Sequence, residues 1–380
     1  MATTVSPAQT QVSVAREDLR EALRSVELAG GTGAFIHLRS KADHIELRTY
    51  ERGLHLRYRL AVKGAAAGLE AEIALAPLKK ALGAFAKEDV LELGSADGGL
   101  ELRCGRRRIE IPAHDQEPLP AWPRLSGKSA LASSSVPSDL ARAFEMGVIC
   151  AGKDEVRPLL NAVLLDFSEQ ALIATDSYRL LVHPAPLDAA GGEPAEDVVL
   201  PLICAKVIAK DFARRPEKVV FSRAANGLVA VKQGPVEMIV QPVVGQYPDW
   251  RTLMPPESKR RFSFKRAALA DALKAVAAIA GSPGSNPPPA RLLLGEKLSL
   301  HYKSHSGASL EEELPGEGDA GEELEIAFNP QFLQDATRVL ASDEIELAAG
   351  DALRPGLFGD GSVRLLLMPV RLPSDPSVGS

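Results

Sequence analysis

The sequence predicts an α+β fold made of three copies of one unit, each with two helices and several antiparallel strands. Two independent landmarks recur at nearly the same interval. The first is a helical pattern, "REDLREALRSV", "PSDLARAFEMG" and "RAALADALKAV", whose leading leucines Leu19, Leu140 and Leu269 lie 121 and 129 residues apart. The second is a helix that begins near a proline, at Pro77, Pro201 and Pro330, with intervals of 124 and 129 residues. Self-similarity at this scale predicts repeated domains.

Strand patterns fill the rest of each unit. Short alternating segments, "HIELRTYE", "ALIATDS" and "LSLHYKS", precede the second helix of each unit. After that helix come a strand, a turn with glycine and further strands, as in "DVLELGSADGGLELRCGRRRIEIP". Alternation of apolar and polar residues is typical of half-buried strands. Chance similarity of ordinary helix and strand patterns is the alternative interpretation.

Two linkers divide the chain into predicted domains. They are the segments "PLPAWPRLSGKSALASSSVP" and "PDWRTLMPPESKRR". We predict domain 1 over residues 1–126, domain 2 over 127–256 and domain 3 over 257–372. The last eight residues, 373–380, consist of Pro, Ser, Asp, Val and Gly, a composition that predicts a flexible tail.

Composition sets limits on the class of protein. The chain is 45% hydrophobic and 25% charged, which is typical of a globular protein with a sizeable core. Its formal net charge is −6 at pH 7, so attraction to nucleic acid requires a segregated basic surface. No apolar run reaches membrane-spanning length and the start lacks a signal peptide, so we expect a cytoplasmic protein. The three cysteines are too scattered for a disulfide framework or a metal site.

Basic side chains recur on the predicted helices. Arg16, Arg20 and Arg24 share one face of the first helix, at i, i+4 and i+8. This pattern is consistent with a positive inner surface on a negative body. Because Glu17 and Asp18 lie among these arginines, solvated helix faces of mixed charge are the alternative.

The sequence lacks the motifs of common catalytic sites. Asp176 and Ser177 are adjacent, but no Gly-x-Ser-x-Gly turn surrounds the serine. The seven histidines have no metal-ligand spacing, and "GGTGAF" follows a helix instead of linking a strand to one. We therefore expect no catalytic residues, no metal and no cofactor. An enzyme with an unrecognised site is the remaining rival.

Three separated motifs resemble those of the bacterial DNA polymerase III beta subunit family, the sliding clamps. They are "EVRPLLNAVLLDF" leading into "ATDSYRLLVH", then "GQYPDWRTLMP", then the near-terminal "LLLMPVRL". The resemblance extends from about residue 11 to residue 372 and agrees with the threefold repeat. It implies three clamp-type domains that close into a six-domain ring by head-to-tail pairing with a second copy.

The resemblance also implies a function. A sliding clamp encircles duplex DNA and tethers the replicative polymerase, so processivity is topological. The implied partners are duplex DNA, the DNA polymerase III alpha subunit, the clamp loader delta subunit and other proteins with a clamp-binding motif. Contacts with phosphates do not distinguish one DNA sequence from another. The candidate DNA-binding residues are Arg20, Arg24, Lys79, Arg142, Lys206, Lys210 and Arg338.

In such clamps a pocket on domains 2 and 3 receives a short peptide with apolar anchors. Carried over residue by residue, the pocket consists of Leu160, Thr175, Tyr178, Arg179, Leu180, Pro248, Leu253, Leu366, Met368, Pro369, Val370 and Arg371. Met and branched aliphatic side chains suit an apolar cleft, and Arg179 and Arg371 are expected to offer cationic or backbone-directed contacts to a peptide. The alternative is that these residues, Leu160 and Leu180 above all, are domain-junction core.

The ring implies an interface between two copies. The basic strand "CGRRRIEIP" is expected to face a helix end and an acidic strand of the other copy's third unit. The candidate interface residues are Arg106, Arg107, Arg108, Ile109, Ile111, Ala278, Ile279, Glu311, Glu312 and Glu313. Opposite charges would set the head-to-tail direction, while apolar residues contribute most of the affinity.

The sequence also departs from the family pattern. The first unit has "RTYERGL" where the family often has a second ATDLE-like strand, and Arg251 is followed by Thr252 instead of a second arginine. The loop "GSPGSNPPPA" at 281–290 is rich in proline and glycine. These departures leave open a specialised or duplicate clamp paralogue that acts as a peptide-binding scaffold or decoy without encircling DNA.

Overall fold

One order of elements occurs three times along the chain. It is a strand, a helix, four or five strands, a second helix and three strands. The computed structural model describes residues 11–31, 33–62, 68–85, 90–115, 117–190, 195–255, 260–280, 287–319 and 321–372. The predicted tail at 373–380 lies outside these residues, as does part of the loop at 281–290. The predicted α+β class and its repeat are confirmed.

The bounds of the elements are as follows. The first run comprises β1 (Gln11–Ala15), α1 (Arg16–Gly30), β2 (Phe35–Ser40), β3 (His44–Glu51), β4 (Leu54–Ala61), β5 (Glu70–Ala74), α2 (Leu75–Ala84), β6 (Val90–Ala96), β7 (Gly99–Cys104) and β8 (Arg107–Ile111). The second comprises β9 (Ser129–Ser134), α3 (Pro137–Cys150), β10 (Ala162–Asp166), β11 (Ala171–Thr175), β12 (Arg179–Pro184), β13 (Asp188–Ala189), β14 (Val198–Pro201), α4 (Leu202–Asp211) with a 3-10 turn at Phe212–Arg214, β15 (Val219–Arg223), β16 (Val229–Gln233) and β17 (Val236–Val240). The short helix α5 (Trp250–Leu253) leads into the third, which comprises β18 (Arg261–Lys265), α6 (Arg266–Ile279), β19 (Ala290–Leu294), β20 (Leu298–Lys303), β21 (Ser309–Leu314), β22 (Gly316–Glu317), β23 (Leu324–Phe328), α7 (Pro330–Val339), β24 (Glu344–Ala348), β25 (Gly356–Gly359) and β26 (Arg364–Leu367).

The chain divides into two compact units. Unit 1 is Met1–Glu145, Phe167–Gln170 and Pro186–Val244, and unit 2 is Met146–Asp166, Ala171–Ala185 and Gly245–Ser380. This division passes through the second predicted domain, and the boundaries of the three predicted domains stay a prediction.

Unit 1 contains two antiparallel sheets. Nine strands follow the order β13-β9-β15-β16-β17-β4-β3-β2-β5, and four follow the order β1-β6-β7-β8. In the larger sheet β17 pairs with β4, with Val240 opposite Leu54 and Val236 opposite Tyr58. One continuous sheet therefore joins the last strand of the second run to the first run.

Unit 2 repeats this arrangement. Eight of its strands follow the order β10-β11-β12-β26-β25-β24-β18-β22, and four follow the order β21-β20-β19-β23. Here β26 pairs with β12, with Leu367 opposite Arg179 and Arg364 opposite Val182. The last strand of the third run is thus joined to the second run.

The helices pack through similar apolar faces. α1 buries Leu19, Ala22, Leu23 and Val26, and α6 buries Leu269, Ala272, Leu273 and Val276, the same residue types at the same spacing. Spacing at i, i+3, i+4 and i+7 forms one stripe along a helix. In the part of the chain that the structure describes, no helix is long and apolar enough to cross a membrane.

Candidate functional site

The turn between β11 and β12 carries the polar cluster of the "ATDSYRL" motif. Asp176 Oδ1 accepts hydrogen bonds from the backbone N–H groups of Tyr178 and Arg179, both at 3.0 Å. Thr175 Oγ1 donates to the Arg179 carbonyl oxygen at 2.7 Å. Ser177 has φ 80°, a left-handed conformation that is costly for a residue other than glycine. The turn leaves the Tyr178 side chain 60% exposed.

Arg179 lies beneath this turn and is 7% exposed. Its Nε donates to Asp176 Oδ2 at 3.1 Å, its Nη1 to Asp335 Oδ2 at 2.6 Å and its Nη2 to the Ile149 carbonyl oxygen at 2.6 Å. The guanidinium also lies 4.6 Å from the centre of the Phe332 ring. All three guanidinium nitrogens have partners within the protein. A direct contact between Arg179 and a peptide stays a prediction. Arg179 holds the turn in place.

The segment after β26 forms a wall beside the turn. The backbone N–H of Met368 donates to the Tyr178 carbonyl oxygen at 2.8 Å, and that of Val370 to the Ala327 carbonyl oxygen at 2.7 Å. These bonds fix the backbone while the side chains of Met368 and Val370 stay 41% and 38% exposed. An apolar surface held by backbone bonds is suited to receive another apolar group.

The linker helix α5 is anchored on β10. Asp166, which is fully buried, accepts hydrogen bonds from Trp250 Nε1 at 3.3 Å and from Arg251 Nη2 at 2.7 Å. This anchor positions Leu253, which is 49% exposed. Arg251 lies over the Trp250 ring, so the single arginine of the "PDWRT" motif belongs to the anchor.

The predicted pocket residues fall into two groups. Those on the surface are Tyr178, Leu253, Met368, Val370 and Arg371, with Leu160, Pro248 and Pro369 half-buried. Those in the interior are Thr175, Arg179, Leu180 and Leu366. Leu180 and Leu366 are opposite each other on β12 and β26. A pocket role for the interior group stays a prediction.

The sequence interpretation did not include Phe332. Its ring lies 6.3 Å from that of Tyr178, centre to centre, on the side where Arg179 packs. The apolar stripe of α7 is Leu333, Ala336 and Val339, and Phe332 lies beside it. An aromatic residue beside the apolar stripe of a predicted helix is the feature of the sequence that could have identified Phe332.

The basic candidates lie on helix positions that are exposed, except for the half-buried Arg142. Arg20, Arg24 and Lys79 line a groove of about 480 Å³ between α1 and α2, where Lys79 pairs with Glu27 at 2.5 Å and Arg20 with Glu17 at 3.6 Å. Arg24, and Lys206 and Lys210 on α4, have no ion-pair partner among the described residues. Arg142 on α3 pairs with Glu145 at 3.2 Å, and Arg338 on α7 with Asp335 at 3.4 Å.

A buried ion pair holds two of these helices together. Arg215 Nη1 donates to Asp211 Oδ2 at 2.6 Å, and Arg215 Nη2 donates to Ser25 Oγ at 3.0 Å and Glu21 Oε1 at 3.1 Å. The arginine therefore ties the end of α4 to α1. Because Arg24 and Lys206 lie on these same two helices, the pair fixes the relative orientation of the basic groups.

The candidate interface residues lie on or beside two sheet edges and at the end of α6. β8 ends the four-stranded sheet of unit 1, and β21 ends that of unit 2. Arg106, Arg107 and Arg108 are exposed at or beside the first edge, and Glu311 and Glu313 are exposed on the second. Ala278 is exposed and Ile279 half-buried at the end of α6, and Glu312 is half-buried. Ile111 is 4% exposed, so of the two isoleucines only the half-buried Ile109 can meet a partner.

Comparison with known proteins identifies similar sequences. Residues 251–371 match the family model described as DNA polymerase III beta subunit, C-terminal domain. The chain is 26% identical over 276 residues to the beta sliding clamp of Bacillus subtilis, covering 71% of this chain and 72% of that protein. It is 25% identical over 276 residues to the beta sliding clamp of Staphylococcus aureus, with 71% of each chain covered.

Solved structures agree in fold. The DNA polymerase sliding clamp from Pseudomonas aeruginosa has a TM-score of 0.81 at 20% identity, covering 95% of this chain and all of that one. The DNA polymerase III beta subunit from Thermotoga maritima has a TM-score of 0.77 at 22% identity, covering 96% of this chain and all of that one. The resemblance that the sequence motifs indicate is confirmed.

Proposed function

We propose that this chain, which is similar to the beta sliding clamps along most of its length, is itself a DNA sliding clamp. As a processivity factor it encircles duplex DNA and tethers the replicative polymerase through a peptide pocket. The observation that carries the proposal is the sequence similarity over 71% of the chain, which agrees with the threefold order of elements.

The two free sheet edges support closure into a ring. In the element order, β8 corresponds to β17 and β26, and β21 corresponds to β4 and β12. Within the chain β17 pairs with β4 and β26 pairs with β12. β8 and β21 are the remaining members of this set, and neither has a strand on its outer side among the described residues. Head-to-tail pairing of two copies uses all four edges and closes the ring.

Charge favours this pairing over pairing of like edges. The edge of β8 presents arginines, and β21 presents glutamates. Arg106 and Glu312 have no side-chain partner among the described residues, so a partner copy can satisfy both. Such complementarity directs association and suppresses the wrong orientation.

The surface of Tyr178, Leu253, Met368 and Val370 then serves as the docking site. The partners are the DNA polymerase III alpha subunit, the clamp loader delta subunit and other proteins that carry a short motif with apolar anchors. The clamp contributes no catalytic site, and ATP is used by the separate loader. Tethering raises the local concentration of the polymerase near its template.

The basic helices favour a clamp that encircles DNA over a scaffold or decoy that does not. Arg20, Arg24 and Lys79 surround one groove, and Lys206 and Lys210 extend the set on α4. Phosphate contacts of this kind hold duplex DNA without reading its sequence.

Oligomeric mass and topological retention test the proposal. We expect light scattering to give twice the chain mass. After loading by a clamp loader, the protein should stay on nicked circular DNA and slide off once that DNA is linearised. Equal retention on linear and circular DNA, or a monomer at micromolar concentration, contradicts the proposal.

A further inference from the structure

We infer that the peptide pocket continues past Val370 into a proline-lined cleft that binds an acidic side chain of the partner's peptide. This inference rests on the proposed function and deepens it. The cleft has a volume of about 410 Å³ and is lined by residues 287–289, residues 303–305, Asn329 and Val370. Of these residues, only Val370 belongs to the pocket carried over from the family. Residues 287–289 belong to the proline-rich loop, which is a departure from the family pattern.

Val370 connects the cleft to the pocket. Its backbone N–H donates to the Ala327 carbonyl oxygen at 2.7 Å, and the N–H of Met368 donates to the Tyr178 carbonyl oxygen at 2.8 Å. These bonds hold two exposed side chains, Met368 and Val370, on one short segment. Two residues of a chain span at most about 7 Å. A peptide residue beside Met368 therefore lies about two or three extended residues from the cleft.

Three prolines form a wall of fixed shape. Pro287, Pro288 and Pro289 are half-buried and directly precede β19. The proline ring fixes φ, and the residue has no backbone N–H. The wall is therefore set before a ligand binds and offers no backbone donor. It gives the cleft apolar surface against which the carbon atoms of a side chain can pack.

Asn329 supplies a directed hydrogen-bond donor. Its Oδ1 caps α7 by accepting the Gln331 N–H at 2.9 Å. Because this bond occupies the oxygen, the helix cap sets the orientation of the amide. The amide nitrogen Nδ2 carries two N–H donors and has no hydrogen-bond partner among the described residues. Asn329 is half-buried, so its side chain is accessible to a ligand in the cleft.

Lys303 gives the cleft its charge. It is the last residue of β20, is exposed, and has no ion-pair partner in the described part of the chain. The residue opposite it on β21 is the uncharged Ser309. No Asp or Glu among the described residues lines the cleft, and its other ionisable side chain, His305, is never negative. A carboxylate satisfies both the ammonium group and the Asn329 amide, whereas a basic side chain is repelled.

The occupant is therefore an extended flank of the partner's peptide with Asp or Glu two or three residues from the anchor beside Met368. Its carboxylate accepts hydrogen bonds from Lys303 Nζ and Asn329 Nδ2, and its methylene groups pack on the prolines. A single exposed charge pair is weak, so the anchors supply most of the binding. The cleft adjusts the choice among partners, and Lys303 and Asn329 are specificity residues.

A position scan along the peptide tests the inference. The probe is a fluorescein-labelled synthetic peptide carrying the clamp-binding segment of a DNA polymerase III alpha subunit. It is used unextended and with four alanines added beyond the last anchor at one end or the other. Each added alanine is replaced in turn by Glu or by the uncharged Gln. We expect Glu to bind about threefold more tightly than Gln at low ionic strength, at one end only and within three residues of the anchor.

The measured quantity is the ratio of the Gln-peptide Kd to the Glu-peptide Kd at the best position, within each protein. Lys303→Gln should reduce this ratio to about one. Asn329→Asp keeps a capping side chain but replaces the amide donor with a carboxylate, so it should also remove the gain. Lys297→Gln, directly before β20, is the matched control and should keep the threefold ratio.

Two results overturn the inference. One is a threefold ratio that persists in Lys303→Gln, and the other is a ratio of one at every position in the parent protein. Failure of the unextended peptide to bind at all overturns the proposed function itself, so the two failures are distinguishable.

Discussion

At the scale of the residue, burial separates two arginines from the exposed ones. Arg179 and Arg215 are both buried, and each pairs with a buried aspartate. A buried charge without its partner costs several kcal/mol, because the removed hydration is not replaced. The exposed arginines Arg24 and Arg371 have no such partner among the described residues.

Removing the buried aspartate in unit 1 should be strongly destabilising. Asp211→Ala leaves Arg215 buried without its main partner, so we expect the free energy of unfolding to fall by about 3–5 kcal/mol. Urea denaturation measures this change. Arg24→Ala is the matched control and should change stability by less than about 0.5 kcal/mol. If Asp211→Ala and the control unfold at the same urea concentration, the Arg215–Asp211 ion pair does not stabilise the fold.

Substitution of Met368 should affect peptide binding, whereas substitution of Leu180 should affect the stability of the fold. Met368→Ala removes an exposed anchor contact and should weaken a clamp-binding peptide by about 1–3 kcal/mol, with unchanged urea denaturation. Leu180 is 2% exposed, so Leu180→Ala should lower the free energy of unfolding by about 2–5 kcal/mol. Fluorescence anisotropy measures the first effect. A peptide that binds Met368→Ala as tightly as the parent protein refutes the pocket assignment.

The two buried cysteines should make the stability of the fold depend on pH in the alkaline range. Burial raises the pKa of Cys150 and of Cys204 from 9.0 to about 12. A pKa that is higher in the folded state gives stability that is complete below pH 9 and lost as the pH rises towards 12. We therefore expect the urea midpoint to fall over this range. Cys150→Ala/Cys204→Ala, compared with the parent, should flatten the fall, and an equally steep fall in the double variant contradicts the assignment.

A thiol-reactive reagent gives an independent check of the same burial. At pH 8 one thiol per chain, the partly exposed Cys104, should react quickly with an aromatic disulfide reagent. The two buried thiols should react only after unfolding. Fast reaction of all three in the folded protein would show that Cys150 and Cys204 are accessible.

At the scale of the element, the edge strands carry the proposed assembly. β8 and β21 are the counterparts of strands that pair inside the chain, and their edges differ in charge. Arg108 already pairs with Glu101 and Glu110, and Glu313 with Lys297. Arg106 and Glu312 are therefore the better probes of an interface between copies.

Charge reversal should break the dimer, and complementary reversal should restore it. Arg106→Glu/Arg107→Glu and Glu311→Lys/Glu312→Lys should each lower the dimer fraction at a fixed micromolar concentration, because like charges then meet across the edges. Combining all four changes in one chain should recover dimer mass in light scattering. Ile111→Asp is unsuitable because Ile111 belongs to the core. Dimer mass in both double variants would mean that these edges are not the interface.

At the scale of the whole molecule, net charge and local charge have opposite signs. The chain carries −6 at pH 7, yet the helices present exposed lysines and arginines. Binding to duplex DNA therefore depends on where the cations lie, and the total charge does not reveal it.

Combined neutralisation should reveal the DNA-facing surface. Replacing Arg20, Arg24, Lys206 and Lys210 with Gln should weaken DNA binding and reduce the slope of log K against log salt by about one unit for each lost phosphate contact. Sequence preference should stay absent. The control is Lys297→Gln/Lys303→Gln, which removes charges from β20 and the turn before it and should leave the salt slope unchanged. An unaltered salt slope in the fourfold variant contradicts the proposed DNA surface.

The threefold repeat, the starts of the helices and the family resemblance can be predicted from the amino-acid sequence alone. These depend on local periodicity and short motifs, which persist whatever the chain contacts: α1, α3 and α6 begin at or next to the predicted residues. Which motif residues lie on the surface and which lie in the core depends on contacts between distant segments. Arg179 and Asp335 are 156 residues apart, and no spacing rule connects them. The contact between the rings of Phe332 and Tyr178 likewise cannot be read from the sequence. Burial and side-chain contacts of this kind depend on how distant segments of the chain pair.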